Sequence, residues 1–106
     1  MYDVTNLPDA VDIGFTGEKN FRKVEIDMSG WRIEGGTPAV VYLRPGETIS
    51  YKPTVTYANG IMTWTVTDTD LGSIEGIGKM QIEMKKTGLA AKSPIVNVNV
   101  HNAIMR

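Results

Sequence analysis

The pair Asn59-Gly60, in the middle of 54-TVTYANGIMTWTVT-67, constrains this chain more than any other feature. It suits a two-residue type I′ turn, whose central positions both need φ > 0. A register follows from that turn. Ala58 stands opposite Ile61, Tyr57 opposite Met62, Thr56 opposite Thr63 and Val55 opposite Trp64. One face then gathers Val55, Tyr57, Met62, Trp64 and Val66, and the other gathers Thr56, Thr63, Thr65 and Thr67. Turn chemistry, register and polarity agree on an antiparallel hairpin with one dry face and one wet face.

The same period of two runs through the rest of the chain. Val24, Ile26 and Met28 alternate with Lys23, Glu25 and Asp27, and Met80, Ile82 and Met84 alternate with Gln81, Glu83 and Lys85. Val96, Val98 and Val100 alternate with Asn97 and Asn99, and in 38-PAVVYLR-44 Ala39, Val41 and Leu43 share a face. Such alternation is the mark of half-buried strands. Weaker strands are expected at Val11–Phe15 and around Tyr51, and no segment carries a helical stripe. About seven short strands separated by turn signals predict an all-β fold, an immunoglobulin-like β-sandwich of antiparallel strands, with a barrel as the competing solution. The predicted core is Val24, Ile26, Trp31, Val55, Tyr57, Met62, Trp64, Val66, Met80, Ile82 and Val98. Trp31 is read as a plug at the end of that core rather than an exposed platform.

At 106 residues the chain suits one domain, and a domain of this size buries about two-thirds of its unfolded surface without staples. The expected division is an N-terminal arm over residues 1–10 and a sandwich over residues 11–106. A net charge of −1 offers no field for nucleic-acid phosphates. With no cysteine, disulfides, thiolate metal sites and a cysteine nucleophile are excluded. The first residues, 1-MYDVTNLPDAVD-12, carry acids where a secretory signal carries bases, and no apolar run has the length of a membrane span. Synthesis as a cytoplasmic product is therefore expected.

The stretch 67-TDTDLGSIEGIGKMQIEM-84 invites a search for chemistry. Gly78-Lys79 fails as a phosphate loop, because Ser73 stands where the first glycine belongs and Met80 where serine or threonine belongs. Asp68 and Asp70 fit the start of an EF-hand loop, but Gly72 occupies the third ligand position. A looser calcium site using Asp68, Asp70 and Glu75 stays open, against solvated loop carboxylates as the simpler reading. The acid pairs Asp68/Asp70 and Glu25/Asp27 are routine on a solvated strand or loop rather than a glycosidase pair. His101 is the only histidine, near the end of the last strand, and no G-x-S-x-G elbow is present, so a surface histidine is the simpler reading against a Ser-His-Asp triad built on it. The expectation is no enzyme, no cofactor and no metal. Gly76 and Gly78 read instead as backbone freedom where the chain crosses between sheets.

Three stretches in order, 14-GFTGEKNFRKVEIDMSGW-31, 61-IMTWTVTDTDLGSIEGIGKMQIEM-84 and 92-KS-93 leading into 94-PIVNVNV-100, carry a family resemblance. Together they resemble the N-terminal β-sandwich domain of phage baseplate upper protein and tail-fibre type proteins. Gly17-Glu18 and Arg22 lead into the first long strand, which closes on Asp27 and Trp31. Trp64 marks the central strand, and Asp68-Thr69-Asp70 follows it. The connection through Leu71-Gly72-Ser73-Ile74-Glu75 is longer than the family pattern, and family members usually continue into coiled-coil or receptor-binding regions. The resemblance implies a non-enzymatic virion structural protein, an anchoring or assembly domain of the tail or baseplate. Its partners would be other tail or baseplate subunits and further copies of itself, with no nucleic acid and no membrane. Tyr2, Val4 and Leu7 in the arm, and Ile104 and Met105 at the far end, are the candidate partner interface, against the simpler reading of small apolar residues at loose ends. The alternative function is a carbohydrate-binding module for cell-wall glycans, which would need Trp31 with Tyr42 or Tyr51 on one exposed face.

Overall fold

A computed structural model describes residues 1–103. Nine strands form two sheets: β1 (Tyr2–Asp3), β2 (Ala10–Phe15), β3 (Lys23–Asp27), β4 (Thr37–Leu43), β5 (Val55–Ala58), β6 (Ile61–Thr65), β7 (Gly76–Lys86), β8 (Leu89–Lys92) and β9 (Val96–His101). One sheet has the order β1-β3-β6-β5, and the other has the order β2-β9-β7-β4 with β8 paired to β7. The hairpin sits as its turn dictates. Asn59 and Gly60 have φ of 53° and 78°, and all four expected pairs from Val55↔Trp64 to Ala58↔Ile61 are present.

The core lies between the sheets. Val24, Ile26, Met62, Trp64, Val66, Met80, Ile82 and Val98 are all buried, as alternation requires. In β4 the buried side is Pro38, Val40 and Tyr42, so Ala39, Val41 and Leu43 form the outward face. Trp31 and Val55 are half-buried and pack against the core from its margin. Tyr57 departs from expectation at 41% exposed. It points the same way as Met62 but lies on an edge strand beside the turn, where less of the opposite sheet covers it.

Two further corrections concern the sheets. Among the described residues the strands number nine rather than about seven, and β1–β3 and β2–β9 are parallel pairs. A parallel pair needs a crossover, and for β1 and β3 the intervening β2 supplies it by passing through the other sheet. Strand β8 escaped notice because 89-LAAK-92 has no alternation. It forms by folding back on β7 through Thr87-Gly88, with Gly88 at φ 78°.

Nor do residues 1–10 form a separate arm. Tyr2 and Asp3 pair with Ile26 and Asp27, the Val4 N–H donates to the Asp27 carbonyl at 3.0 Å, and Val4 is 3% exposed. The Asp9 carbonyl in turn accepts from the Asn97 N–H at 2.9 Å.

The stretch 67–84 does cross from one sheet to the other. It begins with a single helical turn, α1 (Asp68–Leu71), and ends in β7. Gly78 is buried where β7 passes β4, and a Cβ there would run into the Leu43 carbonyl oxygen and the Pro45 ring. Gly78→Ala should therefore destabilise the fold by about 2 kcal/mol, as overpacking against backbone does. Urea unfolding followed by tryptophan fluorescence measures it.

Candidate functional site

Asp70 is where sequence and structure differ most. Its place in a polar run suggests a solvated carboxylate, yet it is 3% exposed. Thr67 caps α1, its hydroxyl accepting from the Asp70 N–H at 3.2 Å, while Asp70 Oδ2 accepts from the Thr67 N–H at 3.0 Å. That reciprocal cap turns the Asp70 side chain inward. Oδ2 also accepts from the Trp64 indole N–H at 2.9 Å, and Oδ1 accepts from the Tyr51 hydroxyl. The Tyr42 hydroxyl donates to the Asp70 carbonyl at 3.1 Å. Burial, reinforced by the Asp70 charge, pushes both tyrosine hydroxyls well above their ordinary range.

This arrangement bears on the calcium reading. The Asp70 oxygens are taken up by protein donors, and Asp68 faces solvent in a loose 3.9 Å pair with Lys19. Among the described residues no group of three or more histidine or carboxylate side chains is placed to hold a metal ion. The cluster is a buried anchor. Asp70→Ala should cost about 3 kcal/mol or more, because buried donors lose a charged acceptor. Urea melts measure the loss, and a red-shifted Trp64 emission in the folded variant is expected beside it.

The aromatic set proposed for glycans does not form a platform. Tyr42 is fully buried, and Trp31 and Tyr51 pack against the core. The Tyr42 and Tyr51 rings meet edge to face at 5.8 Å between centroids, and the Arg44 guanidinium lies over the Tyr51 ring at 5.4 Å. The threonine row lines a shallow groove of about 490 Å³, and among the described residues that line it the half-buried Tyr51 is the one aromatic.

A different surface collects binding chemistry, at the end of β2. Glu18 folds back so that Oε1 accepts from the Phe15 N–H at 2.8 Å and from Arg22 Nε at 2.9 Å. Gly14, at φ 122°, makes room, since a Cβ there would collide with the Glu18 carboxylate. The Arg22 guanidinium then lies 5.6 Å from the Phe15 ring centre and 5.7 Å from that of Phe21. Phe21 is 73% exposed and Phe15 is 41% exposed. The hydrogen bond from Arg22, with the Phe15 N–H, holds the Glu18 carboxyl below its usual range, and Glu18 raises Arg22 in return. Next to Phe15, the His101 ring lies tilted at 5.1 Å between centroids, and its Nε2 is 3.3 Å from Asp12 Oδ1. Asp12 is lowered chiefly by the hydrogen bond from Asn99, at 3.0 Å, with His101 adding to it against some desolvation.

Sequence reasoning marked Gly17, Glu18 and Arg22 without seeing this cluster. The legible signal was the spacing of Phe15, Glu18, Phe21 and Arg22, whose meaning depends on the loop folding back. The residues named for a partner interface fare differently. Val4 is interior, and Tyr2 and Leu7 are half-buried against the core, so this segment is committed to the fold. Ile104 and Met105 lie outside the described residues.

Glu83 is the second buried acid, on the outward face of β7. Burial acts to raise its carboxyl, but hydrogen bonds from Lys52, at 3.3 Å, and Lys85, at 3.4 Å, outweigh it and leave the group below its usual range. A carboxyl lowered on folding stabilises the protein above its unfolded value of about 4.3 and loses that contribution as pH falls through the folded value. Glu83→Gln should therefore be less stable than the parent near neutrality, with the gap closing as the pH is taken from about 5 to 3. Both lysines are half exposed, so added salt should narrow the gap as well. Melting curves across pH check both.

No protein-family model matches the chain, and no curated protein matches it either. Among the described residues no helix is long and apolar enough to cross a membrane.

Proposed function

We propose that this chain is a non-enzymatic assembly domain of a phage virion, seated in the tail or baseplate and docked to neighbouring subunits. The observation that carries the docking reading is the Phe15–Arg22–Phe21 stack. Two phenylalanines held in water around an arginine are costly to a free surface, and arginine and aromatic residues are enriched in the energetic centres of protein interfaces. Glu18 fixes the guanidinium before any partner arrives, so less side-chain freedom is lost on binding. A two-sheet sandwich supplies the rigid support. The virion placement rests on the ordered resemblance of three stretches to baseplate and tail-fibre domains. The glycan-binding alternative has no exposed aromatic platform behind it.

Immunogold electron microscopy on phage particles from the source strain, using antibody against this domain, tests the placement. Gold at the tail tip is the expected result. Unlabelled particles, with antibody that recognises the protein in lysate, would remove the virion reading. Pull-downs of tail subunits test the surface: Phe21→Ser and Arg22→Ala should each lose the partner while their thermal melts stay close to the parent. Retained capture by both variants would place the docking surface elsewhere.

A further inference from the structure

We infer that β5 is a self-association edge, and that two copies of this chain pair their β5 strands antiparallel about a two-fold axis through Thr56. The inference goes beyond the virion reading and stands without it.

Sheet edges expose unpaired N–H and C=O groups, and proteins guard them with brevity, proline, charge, bulges or cover. Four edges here are guarded. Strand β1 has two residues, and β2 carries Asp12 and a register shift between Asp12 and Gly14. Strand β4 contains Pro38 and is covered at Tyr42 by a bridge to Tyr51. Strand β8 ends on Lys92 and is entered from Lys86. Strand β5 is short, at four residues, but has no charge, proline, bulge or covering bridge along it. From Pro53 to Thr67 the sequence holds no charged residue, and proline is absent from the strand itself.

The register of the hairpin says which groups are free. In a two-residue hairpin the closing pair exchanges both backbone hydrogen bonds, and the pattern alternates from there. Ala58 and Thr56 therefore turn their backbone groups toward β6, and Tyr57 and Val55 turn theirs outward. The structure gives neither Tyr57 nor Val55 a partner on that outward side. A two-fold axis at Thr56 sets Val55 against Tyr57 of the second copy, so every outward N–H and C=O of the strand is matched. Centring on Val55 would bring Pro53, which has no N–H, opposite Tyr57. Centring on Tyr57 would bring Asn59, held at φ 53° in the turn, opposite Val55. Only the Thr56 register uses the whole edge.

The side chains agree with a second copy as the occupant. Val55 opposite Tyr57 is a β-branched and aromatic pair, of the kind that stabilises neighbouring strands. It would cover the ring that the single chain leaves 41% exposed. On the wet face Thr56 would meet Thr56 of the other copy, with Cα atoms about 4.5 Å apart. With no charge between Pro53 and Thr67, self-pairing meets no like-charge repulsion along the strand.

Thr56 is exposed in the single chain, which makes a charge-swap test clean. Sedimentation equilibrium of the chain, at concentrations up to about 1 mM to cover weak association, should show a monomer–dimer equilibrium. Thr56→Lys and Thr56→Glu each place like charges opposite one another and should weaken the homodimer on the order of fivefold. An equal mixture of the two variants should recover dimer at or above the parental level, which also shows that both variants are folded. A parent that stays monomeric throughout leaves the edge to a strand of another protein and overturns the proposal. So does a dimer indifferent to both substitutions, since its contact lies elsewhere.

Discussion

Asp70 brings a carboxylate into the interior of a small domain, and much of the surrounding structure can be read as the arrangement that makes this tolerable. A buried carboxylate needs donors, and here they come from separate parts of the chain: the Trp64 indole from β6, the Tyr51 hydroxyl from the segment bridged to β4, and the Thr67 N–H from the helical cap. Tyr42 in β4 completes the set through the Asp70 carbonyl, and its ring meets Trp64 at 5.0 Å. The crossing from β6 to β7 is thus tied to both sheets at one point. Few apolar contacts could specify the path of that loop so narrowly, because apolar contacts have no direction.

The same molecule handles its surfaces in two ways. Around β7 a partly hidden acid is matched by Lys52 and Lys85, which keeps that face wet and neutralised. At the end of β2 the chain instead spends a glycine and a glutamate on holding Arg22 between two exposed phenylalanines. At β5 the sheet stops on a short strand with no charge or proline to guard it. These last two places are costly to an isolated domain, and they lie on different edges of the sandwich, β2 closing one sheet and β5 the other. The proposed assembly role and the proposed self-pairing each rest on one of these two places.

Sequence reasoning reached the strands whose side chains alternate and missed what depends on distant partners. Asn59-Gly60 was readable because a type I′ turn is a local demand on φ, and the pairing of β5 with β6 followed residue by residue. Strand β8 lacks alternation and exists only because β7 extends far enough to pair with it. The parallel placement of β1 and β2 was hidden because short edge strands have no pattern that states their direction. Tyr57 and Val4 exchanged their expected places for a related reason: alternation assigns a side to a residue but cannot say how far the opposite sheet reaches over it.

The sequence by itself determined the two-sided strands, the β5–β6 register and the crossing at 67–84, because each rests on contacts between near neighbours or on the backbone needs of particular glycines. Tertiary structure alone decided that Asp70 is an anchor rather than a solvated acid, that Tyr2 and Asp3 pair into a sheet with Val4 in the core, and that Phe15, Phe21 and Arg22 share one surface. Those outcomes depend on groups brought together by folding, such as Trp64 with Tyr51 and Gly14 with Glu18. The free energy of burying a charge or exposing a ring is set by that company, and spacing along the chain alone does not fix it.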